Sequence, residues 1–426
     1  MRIERLDWDG ADAPAFAGRL RALAPTVGEV TADVERIVEE VRSGGDAGLR
    51  EVGQRLGEAV PESFRVDPEA VAAAPGLLEP EVREAMRVAG RNIETVARAE
   101  LEARKRPATA ELPEGHRVEV RDEPVAAAGV YAPAGKAAYP SSVLMCCVPA
   151  RVAGVARICV VSPPGAAGRP HDTVLAACAL TGVEEVYAIG GAQAIAALAF
   201  GTETIQPVDL VAGPGNRYVT EAKRLVFGRV GIDGIAGPSE LMVVADGTAN
   251  PDWIALDLCA QGEHGDDSLL IVASADIALL DRIEELVSQL APERPSVAEA
   301  PLALIATRGL EVALTLADAV APEHLELAFQ GADEIVARAR VAGCVFVGAG
   351  GAAAFGDYAA GSNHVLPTGG AARFGGPLGP GTFRRRTSVV TLPGAAANAL
   401  VPHVVALARA EGFPVHGESA QARGGE

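Results

Sequence analysis

The chain has 426 residues, of which 49% are hydrophobic and 22% charged, and it carries a formal net charge of −19. That length calls for two or more domains with a large combined core, and that composition excludes a disordered chain. The acidic balance argues against nucleic acid and anionic membrane surfaces as partners. The N-terminus, MRIERLDWDG, lacks an apolar signal core, and no uncharged apolar run reaches about eighteen residues. A cytoplasmic protein is expected. Six cysteines lie mostly in apolar runs without a CxxC pair, which reads as buried free thiols in a reducing compartment.

Residues 1 to about 110 read as helical. Thr31 opens an amphipathic run through Val34, Ile37, Val38 and Val41, closed by Gly44-Gly45. A longer helix follows Pro80 and carries Val82, Met86, Ala89, Ile93 and Val96 on one face. Neither holds a His or Cys, so a structural or subunit-interface role is expected.

From Arg117 strands and helices alternate. Strand-like runs at 126–131, 158–162, 185–189 and 208–212 are separated by helical runs at 141–155, 172–180, 192–200 and 217–227. A second set of strands, at 241–245, 269–273, 302–306 and 344–348, follows with helices between, then a Gly-rich tract and a last helix near 393–411. This alternation is the signature of parallel sheets with crossover helices. The expected architecture is two Rossmann-like α/β units with an incomplete dinucleotide fingerprint, plus N-terminal helices and a small helical C-terminal tail. The expected boundaries are an N-terminal region 1–127 packed on the second unit, a first unit 128–237, a second unit 238–380 and a C-terminal segment 381–426.

Gly-rich turns close several strands of the first unit: Tyr131 to Gly135, Gly190-Gly191-Ala192-Gln193 and Gly213-Pro214-Gly215-Asn216. Such turns either cradle phosphate with backbone N–H groups or simply punctuate strand and helix. No GxGxxG with an acidic residue about twenty positions on is present. Among seven histidines, His264, His324, His364 and His416 lie near Asp, Glu or Gln in Gly- or Pro-marked stretches. Gln261 and His264, three apart, share a helix face, while Asp357 and His364 fall in the Gly-rich tract and Glu411 and His416 just beyond the last helix. Spacing alone leaves a metal site open, because no HxxxH or HExxH occurs. In Ala321-Pro322-Glu323-His324-Leu325, Pro322 fits the first turn of a helix. The adjacent Glu323 and His324 read either as an ordinary helix start or as two bases for two proton removals.

Taken together, these stretches resemble the histidinol dehydrogenase family across nearly the whole chain. The resemblance rests on GVYAPAG (129–135), GGAQAIAALAFGT (190–202), VAGPGNRYV (211–219), AGPSELMVVAD (236–246), DLCAQGEHGDDS (257–268), APEHLEL (321–327) and GDYAAGSNHVLPT (356–368). Departures are small: Ala134 replaces a usual Gly, Gly262 a frequent Ala, and Gly265 a frequent acidic residue. The resemblance implies zinc-dependent oxidation of L-histidinol to L-histidine through L-histidinaldehyde, with two NAD⁺. It implies Gln261, His264, Asp357 and His416 as zinc ligands and Glu323 and His324 as the catalytic pair. Those ligands and His324 would also face the substrate, with Ser239, His364 and Glu411 as further substrate contacts. Tyr131, Gln193 and Asn216 match contacts to NAD⁺. The family's homodimer exchanges C-terminal residues, so His416 is expected to complete the partner's metal site. The rival readings are a zinc hydrolase in which Glu323 activates water, a non-catalytic binding protein, and a relative acting on another amino-alcohol.

Overall fold

The structure is a computed structural model and describes residues 1–24, 30–104, 108–134 and 138–424; Gly135, expected in the first Gly-rich turn, lies outside them. The first unit is built on a five-stranded parallel sheet in the order β6-β5-β4-β7-β8. Its strands are β4 (Ala127–Tyr131), β5 (Arg157–Ser162), β6 (Glu185–Ala188), β7 (Leu210–Ala212) and β8 (Gly231–Ile232). All five residues of β4 are buried, the unbroken apolar run of a strand covered on both faces. From β4 the chain steps outward through β5 to β6, then crosses back to lay β7 on the other side of β4. Ligands bind such sheets at this switch point, outside the carboxyl ends of the strands.

The second sheet is also parallel, in the order β1-β11-β10-β9-β12-β13. It comprises β1 (Arg2–Asp7), β9 (Glu240–Ala245), β10 (Leu269–Ser274), β11 (Pro301–Ala306), β12 (His324–Ala328) and β13 (Cys344–Val347). A third, antiparallel sheet joins β2 (Ala108–Glu111), β3 (Arg117–Pro124) and β14 (Arg384–Thr391). Among the described residues no helix is long and apolar enough to cross a membrane.

Several expectations change. The chain opens with a strand, because β1 is an edge strand paired through its backbone and its charged sequence carries no helix or strand pattern. The break expected at Gly44-Gly45 holds: Gly45 (φ 56°, ψ −136°) is non-helical and divides Thr31–Arg55 into two helices, the second turning back so that Arg55 reaches Glu40 at 2.5 Å. The N-terminal region divides between the units. β1 and the helix Ala13–Arg21 join the second, whereas Thr31–Arg55 packs on the helices Gly191–Phe200 and Arg217–Val226 of the first. Val34, Ile37 and Val41 share a core cluster there with Ile195 and Leu198, and Pro80–Arg104 lies on Pro140–Ala153. Glu411 caps the helix Gly394–Ala410, and a further helix, Pro414–Gln421, holds His416; these two helices pack chiefly on each other.

Ala321-Pro322-Glu323-His324 is a strand entrance. Ala321 takes the left-handed conformation (φ 50°, ψ 59°) that closes the helix Leu310–Val320, and Pro322 prevents its continuation. His324 then enters β12 with Leu241 and Cys344 as its register partners.

Candidate active site

Glu323 and His324 lie at the amino ends of β12 and β9, both buried, at 6% and 3% exposure. Strand pairing brings Glu240 beside them, and Glu240 fixes both. Its backbone N–H donates to the Glu323 carboxylate at 2.9 Å, and its carbonyl lies 3.0 Å from His324 Nδ1. The Glu240 carboxylate accepts from the Glu323 and Gly369 N–H groups at 3.2 and 3.1 Å and pairs with Arg21. Arg21 also donates to the Val320 and Ala321 carbonyls at the end of the preceding helix. With Nδ1–H committed to a carbonyl, the Nε2 face of His324 is the one presented to chemistry. It lies 3.6 Å from Asp357 Oδ1, and the ring stacks on Phe346.

These contacts set the protonation of the pair. Burial raises Glu323 to about 7, against the opposing charge of His324. Burial pulls His324 down, but Glu323 and Asp357 more than reverse this and lift it to about 9. Burial works on Asp357 in the upward direction, yet His324, His364 and His264 hold it below the usual carboxylate range. His264 is lowered by crowding around its ring, although part of the residue is exposed.

Asp357 belongs to a short helix, Ala353–Tyr358, and not to an irregular loop: Glu326 of β12 accepts from Ala353 N–H at 2.9 Å and anchors its first turn. This helix packs on Pro251–Gly262, whose C-terminal end bears Gln261, with His264 just beyond it. Gln261 is 2% exposed, and its Nε2 has no hydrogen-bond partner. Among the described residues no three His, Cys, Asp or Glu side chains form a closed metal-binding set. His264 and Asp357 are near enough for their charges to interact, and Gln261 lies on the helix packed against that of Asp357; an imidazole, a carboxylate and an amide oxygen form a donor set that fits a borderline ion such as zinc with positions left open.

His364 joins the two units. Its Nδ1 lies 2.9 Å from the Asp357 carbonyl and its Nε2 3.3 Å from Ser142 Oγ, on the helix that leaves β4. Asn363 Nδ2 donates to the Met145 carbonyl at 2.7 Å, and Ser239 stands immediately before β9. Glu411 and His416 are exposed on the C-terminal helices.

The three expected dinucleotide residues lie at or just beyond the carboxyl ends of strands in the first unit, Tyr131 on β4, Gln193 after β6 and Asn216 after β7. Tyr131 ends β4, and its hydroxyl accepts from Gly191 N–H at 3.2 Å. Gln193 sits in the first turn of Gly191–Phe200, where backbone N–H groups and the helix dipole favour pyrophosphate. Asn216 Oδ1 caps Arg217–Val226, accepting from the Tyr218 and Val219 N–H groups. Gly213 (φ 117°) lies against the Tyr131 carbonyl, where a Cβ would collide. A buried Lys223–Asp233 pair clamps this turn from below, with Lys223 Nζ on the Gly213 carbonyl and Asp233 accepting from the Gly213 N–H.

The family model for histidinol dehydrogenase matches residues 22–424. The chain is 44% identical to the histidinol dehydrogenase of Rhodospirillum rubrum, covering 98% of each chain. It is also 44% identical to that of Cereibacter sphaeroides, covering 97% of this chain and 95% of the relative. The chain belongs to the histidinol dehydrogenase family. The crystal structure of histidinol dehydrogenase from Elizabethkingia anophelis superposes with a TM-score of 0.89 at 30% identity, covering 99% of this chain and 98% of that one. Membership makes the chain an NAD-dependent, zinc-containing oxidoreductase that acts on histidinol in histidine biosynthesis, and sets aside the hydrolase and binding-protein readings. Arg21, Glu240 and Ser142 went unrecognised in the sequence. Their only signal there is that Glu240 lies inside the stretch 236–246 and Ser142 at the start of the helical run 141–155.

Proposed function

We propose that the cluster where β9 and β12 begin is the place at which L-histidinol is oxidised to L-histidine through L-histidinaldehyde, with two NAD⁺ reduced per turnover. The observation that carries this reading is the contact of His324 with both Glu323 and Asp357, the latter on a helix packed against the one that bears Gln261 and its unpartnered amide. Gln261, His264 and Asp357 would hold zinc from one chain, and His416 would come from a second copy. When bound, zinc supplies a Lewis-acid grip on the amine and imidazole of the alcohol and a positive charge that offsets Asp357 beside His324. With the Asp357 charge so offset, the hold that keeps His324 protonated would weaken; neutral at Nε2, it would take the hydroxyl proton there as the first hydride leaves, its ring held by the Glu240 carbonyl. Glu323, brought to about 7 by burial, takes a proton from the water that adds to the aldehyde. His324, having released its first proton to solvent, accepts the proton of the hydrate hydroxyl as the second hydride leaves. Ser239, His364 and Glu411 bind the polar ends of the substrate, while Tyr131, Gln193 and Asn216 hold the dinucleotide.

The C-terminal helices support a homodimer with shared sites. Leu407, Phe413 and Val415 leave an apolar face exposed at 65%, 55% and 68%, next to Glu411 and His416. The test mixes His264→Ala and His416→Ala chains, each inactive alone. With shared sites, half of randomly exchanged dimers carry one intact site of two, so activity returns to about a quarter of wild type. No recovery after subunit exchange would refute sharing. Wild-type protein should yield two NADH per histidinol and stop when a chelator removes the metal. One NADH, or turnover indifferent to the chelator, would refute the reaction as written.

A further inference from the structure

In doubly wound folds an acidic residue at the tip of the second strand hydrogen-bonds the adenosine ribose, and its charge disfavours a 2′-phosphate. Here the corresponding strand, β5, ends in Ser162-Pro163-Pro164 and offers no carboxylate. One arrives from elsewhere in the chain. The helix Thr31–Arg55 ends in a Schellman motif: Gly57, in the left-handed region (φ 70°), donates to the Gln54 carbonyl at 3.1 Å. Glu58 N–H donates to the Gly53 carbonyl at 2.9 Å. The backbone of Glu58 is thereby fixed, and Leu49 and Val52 of the helix before it share a core cluster with Ile195 and Leu198 of Gly191–Phe200. The Glu58 side chain reaches the start of the helix that follows β6, where its Oε2 accepts from Gln193 Nε2 at 2.9 Å. Gln193 is 2% exposed, and its Oε1 has no partner. Tyr131, whose hydroxyl meets Gly191 N–H, is close enough for the Glu58 charge to raise its pKa further beyond the effect of burial. Among the described residues no Lys or Arg is recorded in an ion pair or hydrogen bond with Glu58, whose carboxylate is held by Gln193 against the upward pull of burial on its pKa.

We propose that Glu58 is the specificity-determining residue of the dinucleotide crevice, its carboxylate accepting from the adenosine ribose hydroxyls and repelling the 2′-phosphate of NADP⁺. The inference rests on reading Tyr131, Gln193 and Asn216 as dinucleotide contacts. A purely structural Glu58, one that only steadies Gln193, would affect the two dinucleotides alike. The ratio between them is therefore the decisive readout.

The experiment measures kcat/KM for NAD⁺ and NADP⁺ with saturating histidinol in the full-length, metal-loaded enzyme and its Glu58→Gln, Glu58→Asp and Gln193→Ala variants. Losing a charged hydrogen-bond acceptor and a repulsive charge should lower the NAD⁺/NADP⁺ preference about tenfold or more in Glu58→Gln. Glu58→Asp, which keeps the charge, should retain most of it, and remains informative if Glu58→Gln folds poorly. A preference unchanged within about twofold in Glu58→Gln, or lost equally in both Glu58 variants, overturns the assignment. Gln193→Ala separates the two levels of the argument. If it leaves NAD⁺ kinetics untouched, the crevice reading itself fails; if it weakens NAD⁺ while Glu58→Gln leaves the preference intact, only the role of Glu58 fails.

Discussion

Replacing Glu240 with Gln tests whether the catalytic pair is held in place from outside the motif that contains it. The Glu240 carboxylate receives Arg21 and the N–H groups of Glu323 and Gly369, and it is 5% exposed. Gln removes the charge opposite Arg21 and turns an NH₂ group toward at least one of these donors. Breaking a buried ion pair by removing one partner costs about 3–5 kcal/mol, and that range already includes the hydrogen bonds lost with it. The expected loss of stability in urea is therefore about 3–5 kcal/mol, with Arg21→Met in the same background recovering part of it by removing the stranded cation. Glu323 is held to Glu240 through both its N–H and its side chain, so kcat should fall by about 10²-fold, as for a displacement of about 1 Å, with a smaller change in KM. A Glu240→Gln protein within about 1 kcal/mol of wild type and with unchanged kcat would refute the reasoning.

Other outcomes follow from the same contacts. Burial, then the charge of Asp257, raises Glu326 from 4.5 to about 8, so the folded state keeps a proton that the unfolded chain releases. This part of the stability is complete below about pH 4.5 and is lost as pH rises through about 8; Glu326→Gln should flatten that decline in urea titrations across this window. Lys223→Met strands Asp233 beneath the Gly213 turn and should cost about 3–5 kcal/mol while raising KM for NAD⁺ more than KM for histidinol. An equal rise in both KM values would point to global loosening instead. Oxidation of added histidinaldehyde should gain rate as pH rises through about 7, where Glu323 loses its proton, and Glu323→Gln should abolish that rise.

How far the sequence discloses this molecule follows from what each segment buries. β4, β5, β9 and β10 announce themselves because a strand covered on both faces is a short, unbroken apolar run. β1, β2, β3 and β14 did not, since their largely exposed, charged residues carry no such signal and are ordered by backbone pairing. At Ala321–Leu325 the local cue misled: Pro322 is equally at home opening a helix or following one, and the left-handed Ala321 decides for the latter. The motif residues were legible because each sits in a distinctive local stretch. Arg21, Glu240, Ser142 and Glu58 were not, because their importance exists only where distant segments meet. The N-terminal region, whose helices are expected to be structural or at a subunit interface, supplies two of those four side chains, Arg21 to Glu240 and Glu58 to Gln193.

The central claim is a division of labour, in which His324 serves the alcohol step and Glu323 the water that adds to the aldehyde. Measuring the two half-reactions separately in Glu323→Gln, alcohol oxidation by the first NADH formed and aldehyde oxidation with added histidinaldehyde, tests it most directly. The account predicts a loss of about 10²–10⁴-fold in aldehyde oxidation with alcohol oxidation largely retained. Equal loss in both steps would contradict it.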